Sequence, residues 1–137
     1  MALSEASGKE IPFAFNRKEK KDHGEGGNMV GAELQGRVAI IDDVITAGTA
    51  IRESVAMIEA TGAKPSAVFL ALDRQEKGQK DGEVTEMSAI QQVEAEFGIP
   101  VKAIATLDDL IEYLKQRPEQ AENLDRMHAY RETYGIQ

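Results

Sequence analysis

Residues 38–50 read VAIIDDVITAGTA, the sharpest sequence feature of the chain. Val38–Ile41 form a short apolar run, and Asp42 and Asp43 follow it directly. Small and hydroxyl-bearing residues then make a turn, and a helical pattern begins at about Thr49. Ligands of open α/β sheets bind outside the carboxyl ends of the strands, which is where the two acids fall. The stretch therefore predicts a strand, a ligand-binding turn and a helix in succession.

The turn at residues 46–49 has the features of an anion site. Backbone N–H groups at a helix N-terminus point at a bound anion, and Gly48 lets the backbone approach it closely. Acids beside such a turn fit a phosphorylated sugar, if Asp42 and Asp43 accept hydrogen bonds from sugar hydroxyls while the turn holds the phosphate. The alternative is that the acids are merely solvated and Thr49 caps the helix. A Walker-type loop is excluded, because its Gly-x-x-x-x-Gly-Lys-Ser/Thr pattern does not occur.

The rest of the chain alternates strand and helix patterns, which predicts an α/β fold with a parallel sheet. Strands are expected at residues 12–16, 37–42, 66–72 and 100–105. Helices are expected at residues 49–61, 88–97, 106–117 and 119–134. Because the run at 38–41 is apolar on both faces, we expect helices to cover both sides of the sheet. The stripe of the last helix, predicted to pack in the core, is Leu124, Met127, Tyr130 and Tyr134.

Composition narrows the class of protein further. The 137 residues suit one domain, and the absence of cysteine excludes disulfides, thiolate metal sites and cysteine nucleophiles. A net charge of −8 disfavours a nucleic-acid partner. We find neither an apolar run long enough to span a membrane nor a secretion signal, so no membrane partner and a cytoplasmic location are expected.

Two polar segments are predicted to be loops. Residues 17–36 concentrate basic charge beside several glycines and are longer than most connections in a compact domain. Such a segment is either a solvated face or a mobile lid, since flanking glycines permit the backbone changes that closure requires. Residues 73–84 are also polar and contain Gly78 and Gly82.

The motifs carry a resemblance to a known family. Residues 38–50 resemble the phosphoribosyl-diphosphate (PRPP) motif of the type I phosphoribosyltransferases, which implies a Rossmann-like parallel-sheet fold and Mg²⁺-bound PRPP as donor substrate. Residues 17–27 satisfy the pattern Arg-Lys-x-x-Lys-x-His-Gly-x-x-Gly of the orotate phosphoribosyltransferase catalytic loop. Residues 73–76, Asp-Arg-Gln-Glu, are similar to that family's orotate-contacting segment. The implied reaction transfers phosphoribose from PRPP to orotate, giving orotidine 5′-phosphate and pyrophosphate in pyrimidine biosynthesis.

The resemblance also implies roles for individual residues. It assigns catalysis to Lys21, His23, Asp42 and Asp43, and orotate binding to Thr46 and Arg74. It implies no metal ligand set in the protein, because Mg²⁺ is held mainly through substrate and water. It implies a homodimer in which the loop at 17–28 acts on the partner's site. The residues that it assigns to PRPP are Arg17, Lys18, Lys21, His23, Asp42, Asp43, Val44, Ile45, Thr46, Ala47, Gly48, Thr49 and Ala50.

The sequence departs from the family at its start. Residues 1–5 look like the end of a helix, and a mononucleotide-binding sheet normally has a strand before that helix, so we expect the N-terminal part of the domain to be lacking. Alternatives therefore stay open: a PRPP-binding regulator, an inactive fragment of the same family, or a phosphoribosyltransferase acting on a purine or uracil. The last explains residues 38–50 but neither the basic loop nor residues 73–76.

Overall fold

A computed structural model describes residues 2–16, 29–80 and 83–136, with Lys80 by its backbone alone. The chain divides into two compact units, residues 1–35 and 36–137. The first unit contains helix α1 (Ala2–Ser7), strand β1 (Ala14–Asn16) and strand β2 (Met29–Gly31). β1 and β2 pair antiparallel, with Phe15 opposite Val30. The strand expected at 12–16 is thus not part of the parallel sheet, and β2 lies within the segment that we predicted to be a loop.

The second unit contains the parallel sheet and its helices. Its elements in chain order are β3 (Arg37–Asp42), α2 (Thr49–Ala60), β4 (Lys64–Asp73), β5 (Lys77–Lys80), β6 (Glu83–Ser88), α3 (Ala89–Phe97), β7 (Val101–Thr106), α4 (Leu107–Lys115), a 3₁₀ turn (Pro118–Gln120) and α5 (Ala121–Tyr134). The parallel sheet has the order β3-β4-β7. The predicted α/β class is confirmed, and these strands and helices lie close to their expected bounds.

The core of this unit lies on one face of the sheet. Ile40, Val68 and Leu70 point from that face and are buried. α2 packs on β3 and β4, while α3 and α4 pack on β7. The buried helix residues are Ile51, Val55, Ile58, Ala89, Val93, Leu107 and Ile111. Their spacing of three and four residues gives each helix one apolar stripe, which is why these segments are helical and dock as they do.

The opposite face of the sheet is open in the described part of the chain. Ile41 is 81% exposed, Phe69 47% and Ile104 89%. Side chains alternate along a strand, so these three residues project away from the helices that cover Ile40 and Leu70. The expectation that helices cover both faces is therefore wrong for the described residues.

Capping explains where two of the helices begin. Ser88 accepts a hydrogen bond from the backbone N–H of Gln91, and the Gln91 side chain accepts one from the N–H of Ser88. Thr106 and Asp109 form the same reciprocal arrangement at the start of α4. Both caps fix the helix starts, because each satisfies N–H groups that the first helical turn leaves free.

The segment at 73–84 is not the simple loop that we predicted. β5 and β6 pair antiparallel, and Thr85 donates through Oγ1 to the carbonyl of Gly78 at 3.2 Å. Gln92 of α3 donates to the hydroxyl of Thr85 at 2.6 Å. The hairpin is therefore held by polar contacts with a helix that follows it.

No helix among the described residues meets the length and apolarity that a membrane crossing requires.

The stripe of the last helix is also less buried than predicted. Leu124, Met127 and Tyr130 are half-buried, and Tyr134 is 54% exposed. α5 contributes no fully buried residue, so it rests on α4 at the edge of the core.

Candidate functional site

The turn between β3 and α2 opens onto a cavity of about 330 Å³. Asp42 and Thr46 both line it, so the acid at the end of the strand and the turn before the helix face the same space. The full lining is Asp42, Val44, Ile45, Thr46, Gly48, Thr49, Ala50, Ile51 and Glu53. Asp43 and Ala47 are in the same stretch of chain but are not part of this lining.

Gly48 determines the shape of the turn. It is the N-cap of α2 and has φ 73°, a left-handed conformation that strongly favours glycine. No side chain caps the helix at this end, in contrast to α3 and α4. The N–H groups of the first turn are consequently available to a ligand, together with the positive end of the helix dipole. This part of the site is suited to an anion.

Each of the two adjacent carboxylates uses one of its oxygens in a hydrogen bond within the loop. One oxygen of Asp42 accepts from the N–H of Asp43 at 3.0 Å, and one oxygen of Asp43 accepts from the N–H of Val44 at 2.7 Å. The backbone carbonyl of Asp43 accepts from the N–H groups of Ala71 and Leu72 in β4. Each carboxylate keeps its Oδ2 without a partner among the described residues, so both can still accept hydrogen bonds from a hydroxyl-bearing ligand.

The Asp-Arg-Gln-Glu segment follows the carboxyl end of the neighbouring strand. Gln75 has a positive φ of 52°, and it is the single non-glycine residue with a positive φ in the described part of the chain. Its N–H donates to Asp73 Oδ1 at 2.8 Å, and its side chain donates to Asp108 and accepts from the Asp108 N–H, both at 2.9 Å. Its carbonyl accepts from the N–H of Ile136 at 2.9 Å. These four hydrogen bonds hold a strained residue at the carboxyl edge of the sheet.

Arg74 is oriented by its neighbours. Its Nη2 lies 3.1 Å from Glu76, which also accepts a hydrogen bond from the hydroxyl of Tyr130 in α5. Nε of Arg74 is buried and has no hydrogen-bond partner among the described residues. The Arg74 side chain is 30% exposed and its ion pair uses Nη2, so the guanidinium retains donor capacity that suits a planar anionic ligand.

A charge cluster supports this segment from α4. The hydrogen bond from Gln75 lowers the pKa of the Asp108 carboxyl below its ordinary value, and Arg131 of α5 contributes in the same direction. A hydrogen bond from Thr106 likewise lowers the pKa of Asp109. Both acids are therefore ionised at neutral pH, and Asp108 connects the ends of β4 and α5.

The described residues do not build a metal cage. Outside the gaps at 17–28 and 81–82, no cluster of three or more His, Cys, Asp or Glu side chains is placed to hold a metal ion. A magnesium ion usually keeps several waters and shares one or two carboxylates with substrate phosphates, so the free oxygens of Asp42 and Asp43 fit that mode of binding.

Comparison with known proteins identifies the relatives. No family model matches the sequence. Over 136 residues the chain is 60% identical to the orotate phosphoribosyltransferase of Marinobacter nauticus, covering 99% of this chain and 61% of that protein. It is 57% identical to the enzyme of the same name from Laribacter hongkongensis, with the same coverage. By sequence, this chain is related to the orotate phosphoribosyltransferases.

The structural comparison agrees. The crystal structure of orotate phosphoribosyltransferase from Francisella tularensis matches with a TM-score of 0.74 at 36% identity, over 98% of this chain and 61% of that one. The resemblance drawn from the sequence motifs is therefore confirmed, as is the phosphoribosyltransferase fold class. The chain spans about 61% of the length of the relatives it matches.

Some predicted site residues lie outside the described part of the chain, and the cavity has lining residues that were not predicted. Arg17, Lys18, Lys21 and His23 lie outside the described residues. Glu53 and Ile51 also line the cavity, although neither was predicted from the sequence as a site residue. Glu53 follows Thr49 by four residues on α2, so the helical repeat places both on one face. That spacing was the available signal.

Proposed function

We propose that this chain binds PRPP at the cavity of residues 42–50 and transfers its phosphoribosyl group to orotate. The observation that carries the proposal is the cavity at the turn between β3 and α2, in a chain 60% identical to an orotate phosphoribosyltransferase. The 5-phosphate occupies the uncapped N-terminus of α2, and Asp42 and Asp43 accept hydrogen bonds from the ribose hydroxyls. Arg74 holds the orotate carboxylate with a planar pair of donors.

In the proposed reaction the bond between ribose carbon 1 and the diphosphate oxygen breaks first, and its electron pair leaves with pyrophosphate. The orotate ring nitrogen, having lost its proton to solvent water, then donates the pair that forms the new bond to carbon 1. The intermediate stage resembles an oxocarbenium ion, as in glycoside cleavage. The negative charges of Asp42 and Asp43 beside the ribose favour that positive charge. No nucleophilic side chain is required.

Magnesium enters as part of the donor substrate. Bound Mg²⁺ would neutralise diphosphate charge, held mainly by substrate oxygens and water, with Asp42 and Asp43 as the nearby carboxylates. A cytoplasmic location belongs to the same proposal, because both substrates are charged small molecules that do not cross membranes unaided.

The proposal includes a homodimer with a loop acting in trans. Of the described residues that line the cavity, none is a cation, whereas Asp42 and Glu53 are acidic. Leaving pyrophosphate needs positive charge. The basic loop at 17–28 supplies Arg17, Lys18, Lys21 and His23, and we assign it to the partner's site.

The decisive assay follows orotate consumption with Mg²⁺ and PRPP, with uracil, hypoxanthine and adenine as parallel acceptors. It is run on this chain and on the chain joined to the part of the Marinobacter nauticus relative outside the match. We expect that, of the four acceptor bases, orotate is the one that is turned over. Turnover of another base would establish the purine or uracil alternative. Calorimetric heat with Mg-PRPP but no turnover in either protein would indicate a PRPP-binding regulator or an inactive fragment, and no heat would reject the site.

The loop assignment has its own test. Lys21→Ala should lower turnover by at least about tenfold while PRPP affinity changes little, because a contact made to the departing group acts on the transition state. Lys115→Ala, on the exposed side of α4, is the matched control. Mixing Lys21→Ala subunits with Asp42→Asn subunits should restore activity, since each mixed dimer then has one intact site. Failure of the mixture to exceed either variant alone would contradict action in trans.

A further inference from the structure

Arg52 of α2 makes a contact that the substrate roles do not use. Its Nη1 donates to the carbonyl oxygen of Ala47 at 2.7 Å. Its Nε and Nη2 donate to the carboxylate of Glu96 in α3 at 2.9–3.1 Å. The guanidinium thus joins the turn before α2 to a neighbouring helix, with its fork geometry used on both sides.

The direction of the Ala47 carbonyl fixes the direction of the next N–H. A trans peptide unit is planar, and its C=O and N–H bonds point in opposite directions. The described chain has no cis peptide bond, so this geometry holds at Ala47–Gly48. Because the carbonyl points at Arg52, the N–H of Gly48 points away from Arg52. Gly48 lines the cavity, whereas Ala47 and Arg52 do not. Arg52 therefore lies behind the turn as seen from the cavity.

The fit around Gly48 supports the same arrangement. A Cβ atom at Gly48 would lie 3.2 Å from Nη1 of Arg52 and 3.3 Å from Cγ2 of Val93. The guanidinium consequently rests directly against the turn. Its charge is balanced by Glu96, so its effect on an anion in the cavity is one of geometry more than of added positive charge.

We propose that Arg52, held by Glu96, is a positioning residue for the anion site: it fixes the Ala47–Gly48 peptide so that the N–H of Gly48 donates to the phosphate. The assignment of that phosphate to PRPP rests on the proposed function. Lysine cannot replace arginine here, because a single ammonium cannot reach the carbonyl and grip both carboxylate oxygens in one plane.

The test compares Arg52→Lys and Glu96→Gln with Arg126→Lys, whose exposed ion pair with Glu122 lies on α5. Calorimetry with Mg-PRPP and with inorganic phosphate should show at least about tenfold weaker binding in the first two variants and none of this loss in the third. The KM for orotate should stay within about twofold of the parent value. A loss of thermal stability with unchanged phosphate and PRPP affinity would overturn the proposal, because a merely structural role predicts that outcome.

A ligand-free measurement separates this proposal from the proposed function. Residual dipolar couplings report the direction of the Gly48 N–H bond relative to the rest of its unit. We expect that coupling to change in Arg52→Lys while those of core amides such as Val68 and Leu70 do not. An unchanged Gly48 coupling would overturn the positioning role. Failure of the parent chain to bind PRPP would instead reject the proposed function, with the coupling still deciding what Arg52 does to the turn.

Discussion

Replacing Gly48 by alanine should damage both the stability of the chain and its anion site. Gly48 has φ 73°, and an added Cβ would meet Arg52 and Val93 at 3.2 and 3.3 Å. The backbone conformation alone costs a non-glycine residue about 1–2 kcal/mol. Relief of the crowding requires the guanidinium to leave the Ala47 carbonyl or the turn to move away from α3.

Gly62 provides a matched control that separates the two costs. It also has positive φ, at 82°, but a Cβ there would meet nothing within 4 Å. Gly62→Ala should therefore lower the free energy of unfolding by about 1 kcal/mol, the strain being partly offset by lower entropy of the unfolded chain. Gly48→Ala should lower it by about 2–3 kcal/mol, since crowding adds to the same strain.

Urea unfolding followed by circular dichroism measures this difference. With a slope of about 2 kcal/mol per molar, Gly48→Ala should shift the midpoint down by about 1 M and Gly62→Ala by about half of that. Calorimetry should show weaker Mg-PRPP binding for Gly48→Ala alone. Equal midpoints for the two variants, with equal PRPP affinity, would refute the claim that Gly48 is tightly seated against Arg52.

Two further predictions concern the supports of the site. Ser88→Ala removes the cap of α3 at a buried serine, so it should lower the free energy of unfolding by about 1 kcal/mol in urea titrations; no change would mean that the reciprocal bond with Gln91 is dispensable. Asp108→Asn should destabilise the chain at pH 7 by less than about 1 kcal/mol, because the Asp108 and Arg131 side chains are 54% and 37% exposed and solvent screens their ion pair. The pKa of Asp108 is lowered in the folded state, so its contribution is present above the ordinary pKa near 4 and is lost as pH falls through the folded value. Melting temperatures of the variant and parent should converge as the pH falls below the folded-state pKa of Asp108, and a gap that widens in acid would contradict this account.

The parallel core could be predicted because its signals are local. Strand β3 is a run of β-branched residues that ends in Asp42, and α2 repeats apolar residues at helical spacing before Gly62. The hairpin of β5 and β6 was missed because its stability depends on Gln92, which contacts Thr85 from the following helix. A local polar pattern does not contain that contact.

The open face of the sheet shows a second limit. Ile41 and Ile104 belong to strands in which consecutive residues are apolar. Such strands have apolar side chains on both faces, as in sheets that are covered on two sides. The pattern states what such strands can pack against. It does not state which segment supplies the cover, and in the described residues helices cover one face alone.

Site residues could be predicted where they are close together in the sequence. Asp42, Thr46 and Gly48 lie in one short stretch, so the prediction of a strand, a turn and a helix brings them together without knowledge of the rest of the fold. The role that we infer for Arg52 was not foreseen, because it depends on Glu96, which is 44 residues away in sequence. The position of Arg52 on α2 did not indicate that its guanidinium contacts the turn on the side away from the cavity.

Helix α3 connects these observations. Val93 and Glu96 are three residues apart, so they share one face of the helix. Val93 lies against Gly48, and Glu96 holds the guanidinium that grips Ala47. The face that packs into the core therefore also sets the peptide at the mouth of the anion site. Changes that shift α3 should alter phosphate affinity even where no substituted residue touches the cavity, and the cost of losing its cap should appear in binding as well as in stability.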